Sequence, residues 1–340
     1  MAIARSAAAA AASAGDDEPP VQPEPAAQAP DAAPPPQPPL RIAVLLNSYR
    51  SQLIPALRAS YERSIGAVAP AGTQVAFFEP ANGVDPGPGP ADASSSSSSS
   101  EEPPPPPPPR FPDPARFDLI VLGGSNVDPR ASPPWVLDVH DFLRRLVAEY
   151  PDKKLLGICW GHQTIARVFG GKVVDAARPE GAYKRARSLS ALGEVRGSSF
   201  GAPRTLRLQQ HHRREVAAAP APQPAGFAAL ARGNQCLLHE RNTILTFQGH
   251  PEKDAATARL RLHDAARWFG LAPPGAAAAA DADPWARLRD RVDRDHDGPA
   301  VWRRVLAWVR EPPAPPPDAR ACAGGGAAAG LAAADKGSRI

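Results

Sequence analysis

At 340 residues the chain has room for one large domain or two small ones. Its 39 Lys and Arg against 35 Asp and Glu leave a formal charge of +4; the basic residues are scattered and form no nucleic-acid-binding signature, so nucleic acid is not an expected partner. Three cysteines, Cys159, Cys236 and Cys322, are too few and too odd in number for a disulfide framework and point to a reducing, cytoplasmic setting, while the lack of an apolar run of roughly 18 residues argues against a membrane span.

Residues 1–38 are almost only Ala, Pro, Gln and acidic residues. Such a segment has too little apolar surface to offset its ordering entropy and is expected to be disordered. Its Ala-rich run imitates a short signal sequence, but Asp16, Asp17 and Glu18 follow at once, so export is not the expected fate. The expected domain covers 39–311. It opens with a buried strand at Arg41 to Asn47, an amphipathic helix from about Leu53 to Ile65, and a second strand at Gln74 to Pro80. A Ser/Pro-rich insertion, about 81–114, carries a serine run and a proline run and reads as a solvated loop.

Beyond it, Phe117 to Gly124 is a third strand. The stretch from Trp135 to Tyr150 sets Val136, Val139, Phe142, Leu143 and Leu146 at helical spacing. Lys154 to Ile158 is a fourth strand, followed by a helix that Gly170 and Gly171 stop. Shorter strands are expected at Lys172 to Val174, Thr205 to Gln209, Gln235 to Glu240 and Thr243 to Gln248. Helices near Ala255 to Phe269 and Ala300 to Val309 close the domain, and a Pro-, Ala- and Gly-rich tail, 312–340, is expected to be disordered. Continuous apolar strands alternating with helices indicate an α/β fold with a mostly parallel sheet covered on both faces.

The chemistry centres on LLGICWGHQ, Leu155 to Gln163. Cys159 follows an apolar strand and precedes a helix, with Gly157 and Gly161 two residues to either side. This is the cysteine counterpart of the nucleophile elbow, a tight turn at which bulkier neighbours would collide. The turn also sets the sulfur at a helix N-terminus, which favours thiolate. The backbone N–H of Trp160 then points where an oxyanion would form, and the N–H of Gly124, at the end of the third strand, is a second candidate donor. Gln163, four residues after Cys159, shares its helix face and is a candidate to hold substrate.

A thiol nucleophile needs an oriented base. FQGHPE, Phe247 to Glu252, follows a strand and offers His250 with Glu252 as its orienting carboxylate. His162 reads as structural. His211 and His212 read equally as pocket-lining or surface residues, with His212 the candidate substrate contact. No metal-ligand spacing, phosphate loop or dinucleotide fingerprint occurs, so neither metal nor cofactor is expected.

Together, GICWGHQ with FGGKVV, LQQHHRREV and LTFQGHPE resemble the class I glutamine amidotransferases over about Leu40 to Arg310. The stand-alone amidotransferase-like proteins of fungi and plants, which include γ-glutamyl peptidases, are the most similar. The resemblance implies a flavodoxin-like three-layer αβα sandwich and a Cys159–His250–Glu252 triad. It also implies an oxyanion hole near Gly124 and Trp160, and substrate contact from Gln163. Three features depart from the family: the basic stretch Glu180 to Leu189, His211-His212 in place of Met-His, and the Ser/Pro insertion. The first two border the family's substrate site. The expected activity is therefore hydrolysis of a γ-glutamyl amide through a thioester. The substrate is glutamine, with ammonia passed to an acceptor enzyme in trans, or a glutathione-like γ-glutamyl peptide met by Lys184, Arg185 and Arg187. A non-catalytic γ-glutamyl ligand- or partner-binding protein is the remaining alternative.

Overall fold

The computed structural model describes residues 37–82, 109–176, 192–196, 205–221, 226–268 and 291–315. The expected disordered ends, apart from residues 37–38 and 312–315, the core of the Ser/Pro insertion and the basic stretch Glu180 to Leu189 lie outside them.

The chain alternates strand and helix: β1 (Arg41–Leu45), α1 (Ile54–Gly66), β2 (Gln74–Phe78), β3 (Leu119–Leu122), α2 (Pro134–Glu149), β4 (Lys154–Ile158) and α3 (Trp160–Val168). There follow β5 (Lys172–Asp175), β6 (Leu192–Arg196), β7 (Thr205–Gln209), β8 (Arg214–Ala218), β9 (Phe227–Ala229), β10 (Cys236–His239) and β11 (Ile244–Phe247). Two helices, α4 (Ala255–Trp268) and α5 (Gly298–Val309), come last. Every strand and helix expected from periodicity is present within a residue or two. Strands β6, β8 and β9 were not legible, being short and only partly apolar.

Seven strands form one sheet in the order β2-β1-β3-β4-β11-β10-β9. The pairings β1–β2, β1–β3, β3–β4 and β4–β11 are parallel; β10 and β9 extend the sheet antiparallel. The apolar runs explain the burial of the central strands. All of Leu119 to Leu122 and Lys154 to Ile158 are buried, as expected of parallel strands covered on both faces. Alternate residues serve opposite layers. Ile42, Val44, Leu119 and Val121 pack with Tyr61 and Ile65 of α1 and Trp302, Val305 and Leu306 of α5. Ala43, Leu45, Ile120 and Leu122 pack with Trp135, Val139 and Leu143 of α2 and Trp160 and Ile165 of α3. The result is a flavodoxin-like three-layer αβα sandwich. Two antiparallel ribbons, β5–β8 and β6–β7, accompany the sheet.

The C-terminal end of the stretch expected as an insertion packs on the domain. Arg110 donates to the Pro80 carbonyl at 2.9 Å and pairs with Asp138 at 3.0 Å, and Phe111 stacks on Phe142 at 5.0 Å. Residues 109–114 therefore belong to the packed domain, because an aromatic ring and an arginine fork reach its surface. Residues 312–315 also lie against the domain, the Ala314 N–H donating to the Arg241 carbonyl at 2.8 Å. Among the described residues, no helix is long and apolar enough to cross a membrane.

Candidate active site

Parallel strands open their sites at their C-terminal ends, and here β4 ends one residue before Cys159. The cysteine sits between β4 and α3 with φ 54° and ψ −101°, a conformation that costs a non-glycine residue about 1–3 kcal/mol and survives only when its surroundings enforce it. Two contacts enforce it. The Cys159 N–H donates to the Phe247 carbonyl of β11 at 2.8 Å, and Gln163 N–H donates back to the Cys159 carbonyl at 3.1 Å. The flanking glycines are required by space. A Cβ at Gly161 would stand 1.9 Å from the Leu122 carbonyl oxygen, and one at Gly157 would stand 2.6 Å from Ile165 Cδ1.

His250 and Glu252 arrive from the end of β11. The His250 N–H donates to the Gln209 carbonyl at 2.9 Å, which holds His250 against β7. Its Nδ1 lies 2.7 Å from Glu252 Oε1. The Ser60 hydroxyl on α1 donates to the Glu252 carbonyl at 2.6 Å, so the turn carrying the carboxylate is anchored to the outer helical layer. All three side chains are buried, Cys159 being 5% exposed. With Nδ1 committed to Glu252, Nε2 is the nitrogen left to the sulfur.

The electrostatics follow from this packing. Burial pushes the Cys159 thiol up, but the charge and hydrogen bond of His250, with the Lys253 ammonium, outweigh it and hold the thiol below its usual range. Burial and Lys253 push His250 down, yet Glu252 and the sulfur more than offset them, so the imidazole holds its proton above the ordinary value. Burial raises the Glu252 carboxyl, and His250 with Lys253 brings it below the ordinary value. A lowered thiol beside a raised imidazole favours a thiolate–imidazolium pair. By contrast, burial alone pushes the Cys236 thiol up, leaving it inert.

The remaining sequence candidates divide. Gly124 lines the cavity at the sulfur, and a Cβ there would stand 3.4 Å from His250 Cε1. Trp160 is the first residue of α3, so its N–H lies outside the helical ladder; its indole is turned to the opposite layer, 5.5 Å from Trp135. Gln163 and His212 do not line that cavity. The Gln163 amide donates to the Arg214 carbonyl at 2.6 Å and to Gln248 Oε1 at 3.0 Å, and His212 Nδ1 meets the same Arg214 carbonyl at 2.9 Å. Both are held by β8, a strand the sequence did not reveal. His211 is the member of the pair that reaches the cavity, its carbonyl 3.6 Å from the Cys159 sulfur. His162 is structural as expected, bonded through Nδ1 to Thr246 at 2.8 Å and held by burial and nearby His212 at a pKa of about 3. No cluster of three or more metal-ligating side chains occurs among the described residues.

The profile of the family "Glutamine amidotransferase class-I" matches residues 112–265, which hold Cys159, His250 and Glu252. A glutamine amidotransferase-like protein of Penicillium rubens is 31% identical over 226 residues, covering 63% of this chain and 78% of that relative. The chain belongs to the class I glutamine amidotransferase family. γ-Glutamyl peptidase 5 of Arabidopsis thaliana is 32% identical over 150 residues, 42% of this chain and 57% of that protein. The fold is shared with a glutamine amidotransferase from Thermotoga maritima, at a TM-score of 0.50 and 16% identity over 80% of this chain and 99% of that one.

Within this class I amidotransferase domain the sequence reading missed several cavity residues: Ser48 after β1, Tyr61 on α1, Lys253 beside Glu252, and Arg261 on α4. Burial, helped by Arg261, brings Lys253 down to about 8 although Glu252 and Cys159 pull it up. Lys253 follows the HPE run directly and was the one legible signal; Tyr61 and Arg261 carry no local motif.

Proposed function

We propose that the chain is a cysteine-dependent amidase that hydrolyses a γ-glutamyl amide through a thioester. The observation that carries the reading is the strained Cys159 at the β4–α3 turn, its thiol lowered by an imidazole that Glu252 orients at 2.7 Å. In this reading the Cys159 thiolate attacks the γ-carbonyl carbon. The Gly124 and Trp160 N–H groups receive the oxyanion. His250 gives its proton to the departing amine, and water then releases the γ-carboxylate. Glu252 keeps the imidazole in the tautomer that presents Nε2. A γ-glutamyl chain needs more room than the cavity of about 30 Å³ beside the sulfur, so binding moves the surrounding side chains apart, with Gln163 and His212 as proposed contacts once it does.

Glutamine, with the ammonia used by an acceptor enzyme in trans, is one substrate; a glutathione-like γ-glutamyl peptide is the other. The second is favoured by the likeness to γ-glutamyl peptidases and by Lys253 and Arg261 at the cavity, whose charges suit a substrate carboxylate. The test is the full-length chain against its Cys159→Ser variant, with glutamine, γ-glutamyl-cysteinylglycine conjugates and a thiol-trapping glutamine analogue. Ammonia release marks the first substrate and peptide cleavage the second, with rates falling at least ~1,000-fold in the variant. A wild-type chain that takes no label on Cys159 and cleaves neither substrate refutes the amidase and leaves a binding protein.

A further inference from the structure

Resting on that reading, we propose that Tyr61 is a positioning residue that holds the water which hydrolyses the acyl-enzyme. The cavity beside Cys159 is lined by Tyr61, Gly124, Ser125, His250 and Glu252 among others, and measures about 30 Å³. In the free protein that is room for a water molecule or two. Two of the lining groups can bond a water there: the Tyr61 hydroxyl, a buried polar atom with no hydrogen-bond partner among the described residues, and His250 Nε2, which bonds the Cys159 sulfur in the free protein and is released once that sulfur carries the acyl group. A polar cavity of this size that offers two such groups meets the requirements of a bound water.

Tyr61 is built in rigidly. It is 2% exposed, and its ring makes edge contacts at 6.4 Å with both Phe77 and Trp302. Its hydroxyl lies over the end of β3, where a Cβ on Gly123 would come within 3.0 Å of it. The hydroxyl therefore stands one residue from Gly124, the proposed oxyanion donor, and close enough to Glu252 and Cys159 to sense their charges. Burial first, and those two charges second, raise the phenol well above its usual range, so it stays protonated through the working pH. A phenylalanine would satisfy the packing; the hydroxyl serves the cavity.

The step follows directly. A water in the cavity donates one O–H to His250 Nε2 and the other to Tyr61 Oη, which leaves a lone pair for the thioester carbonyl. The water oxygen bonds to that carbon and one proton passes to Nε2. The tetrahedral adduct collapses with rupture of the carbon–sulfur bond, Cys159 leaves as thiolate, and the γ-carboxyl group ionises to solvent. Nothing is oxidised or reduced.

The deciding experiment mixes full-length chain rapidly with γ-glutamyl p-nitroanilide and compares wild type with Tyr61→Phe. In the variant acylation is untouched. One p-nitroaniline per Cys159 is released in a burst, steady turnover then falls on the order of 100-fold, and kcat and KM drop together with kcat/KM within about twofold of wild type. The thioester accumulates on acid quench, and added hydroxylamine, which needs no held water, restores turnover as the hydroxamate. Unchanged kcat in Tyr61→Phe, or a loss of kcat/KM without a burst, overturns the role of Tyr61 while leaving the amidase intact. A wild-type chain that forms no thioester overturns both.

Discussion

The elbow makes a quantitative demand on position 161. Gly161→Ala introduces a Cβ 1.9 Å from the Leu122 carbonyl oxygen and 2.8 Å from its carbonyl carbon. Both are backbone atoms of the central strand β3, which is buried throughout, so no rotamer change relieves the clash. Ordinary carbon–oxygen contact needs more than a further ångström, which the α3 start or β3 must yield. Overpacking of this kind costs about 1–3 kcal/mol where side chains can adjust and more where they cannot; the expectation here is about 3 kcal/mol or above. For a domain of this size each kcal/mol lowers Tm by about 2–4 °C, so Gly161→Ala melts roughly 6–12 °C below wild type by circular dichroism. Gly66→Ala is the control. Its Cβ meets nothing within 4 Å at the end of α1, and the helix gains up to about 1 kcal/mol. A Gly161→Ala chain that melts with wild type and alkylates Cys159 at the wild-type rate refutes the elbow geometry.

Gln163→Leu leaves the Gln248 oxygen without its donor and removes one of two bonds to the Arg214 carbonyl, which keeps His212; an unmet buried group costs about 1–3 kcal/mol, so urea unfolding shifts to lower midpoint, whereas a pure substrate contact would raise KM at unchanged stability. Lys253→Met removes a buried ammonium held at about 8 against about 10.4 in the unfolded chain. Below pH 8 both states carry the proton and the folded state bears the burial penalty; between 8 and about 10.4 the unfolded chain binds more protons, so wild-type stability rises with pH. The variant is therefore more stable than wild type near neutrality, by up to about 3 kcal/mol, and the difference closes toward pH 10; a constant difference refutes the linkage. The same variant loses a charge that lowers the thiol, so the alkylation rate of Cys159 rises with pH along a profile displaced to higher pH.

The strand and helix pattern, the Cys159 turn and the His250–Glu252 pair were legible for a shared physical reason: each is written in a short contiguous run of its own. Apolar runs as short as Leu119 to Leu122, bounded by glycine, read as buried strands, and a cysteine flanked by Gly157 and Gly161 after such a run reads as a tight strand-to-helix turn. His250 and Glu252 sit two residues apart, so a carboxylate on Nδ1 follows from local reach. The bonds that hold Gln163 were not legible, because its neighbour across space, the Arg214 carbonyl, belongs to a strand whose alternation is blurred by charge.

The sequence by itself determined the mostly parallel sheet covered on both faces, the Cys159 turn and the His250–Glu252 pairing, since short-range backbone geometry and hydrophobic period encode all three. Only the tertiary structure decided what surrounds the sulfur. The Ser60 hydroxyl reaches the Glu252 carbonyl across 192 positions of chain, and Tyr61 reaches the same cavity from α1. No local pattern marks such residues, because their roles exist only once parallel strands β1, β3, β4 and β11 bring the ends of distant segments together.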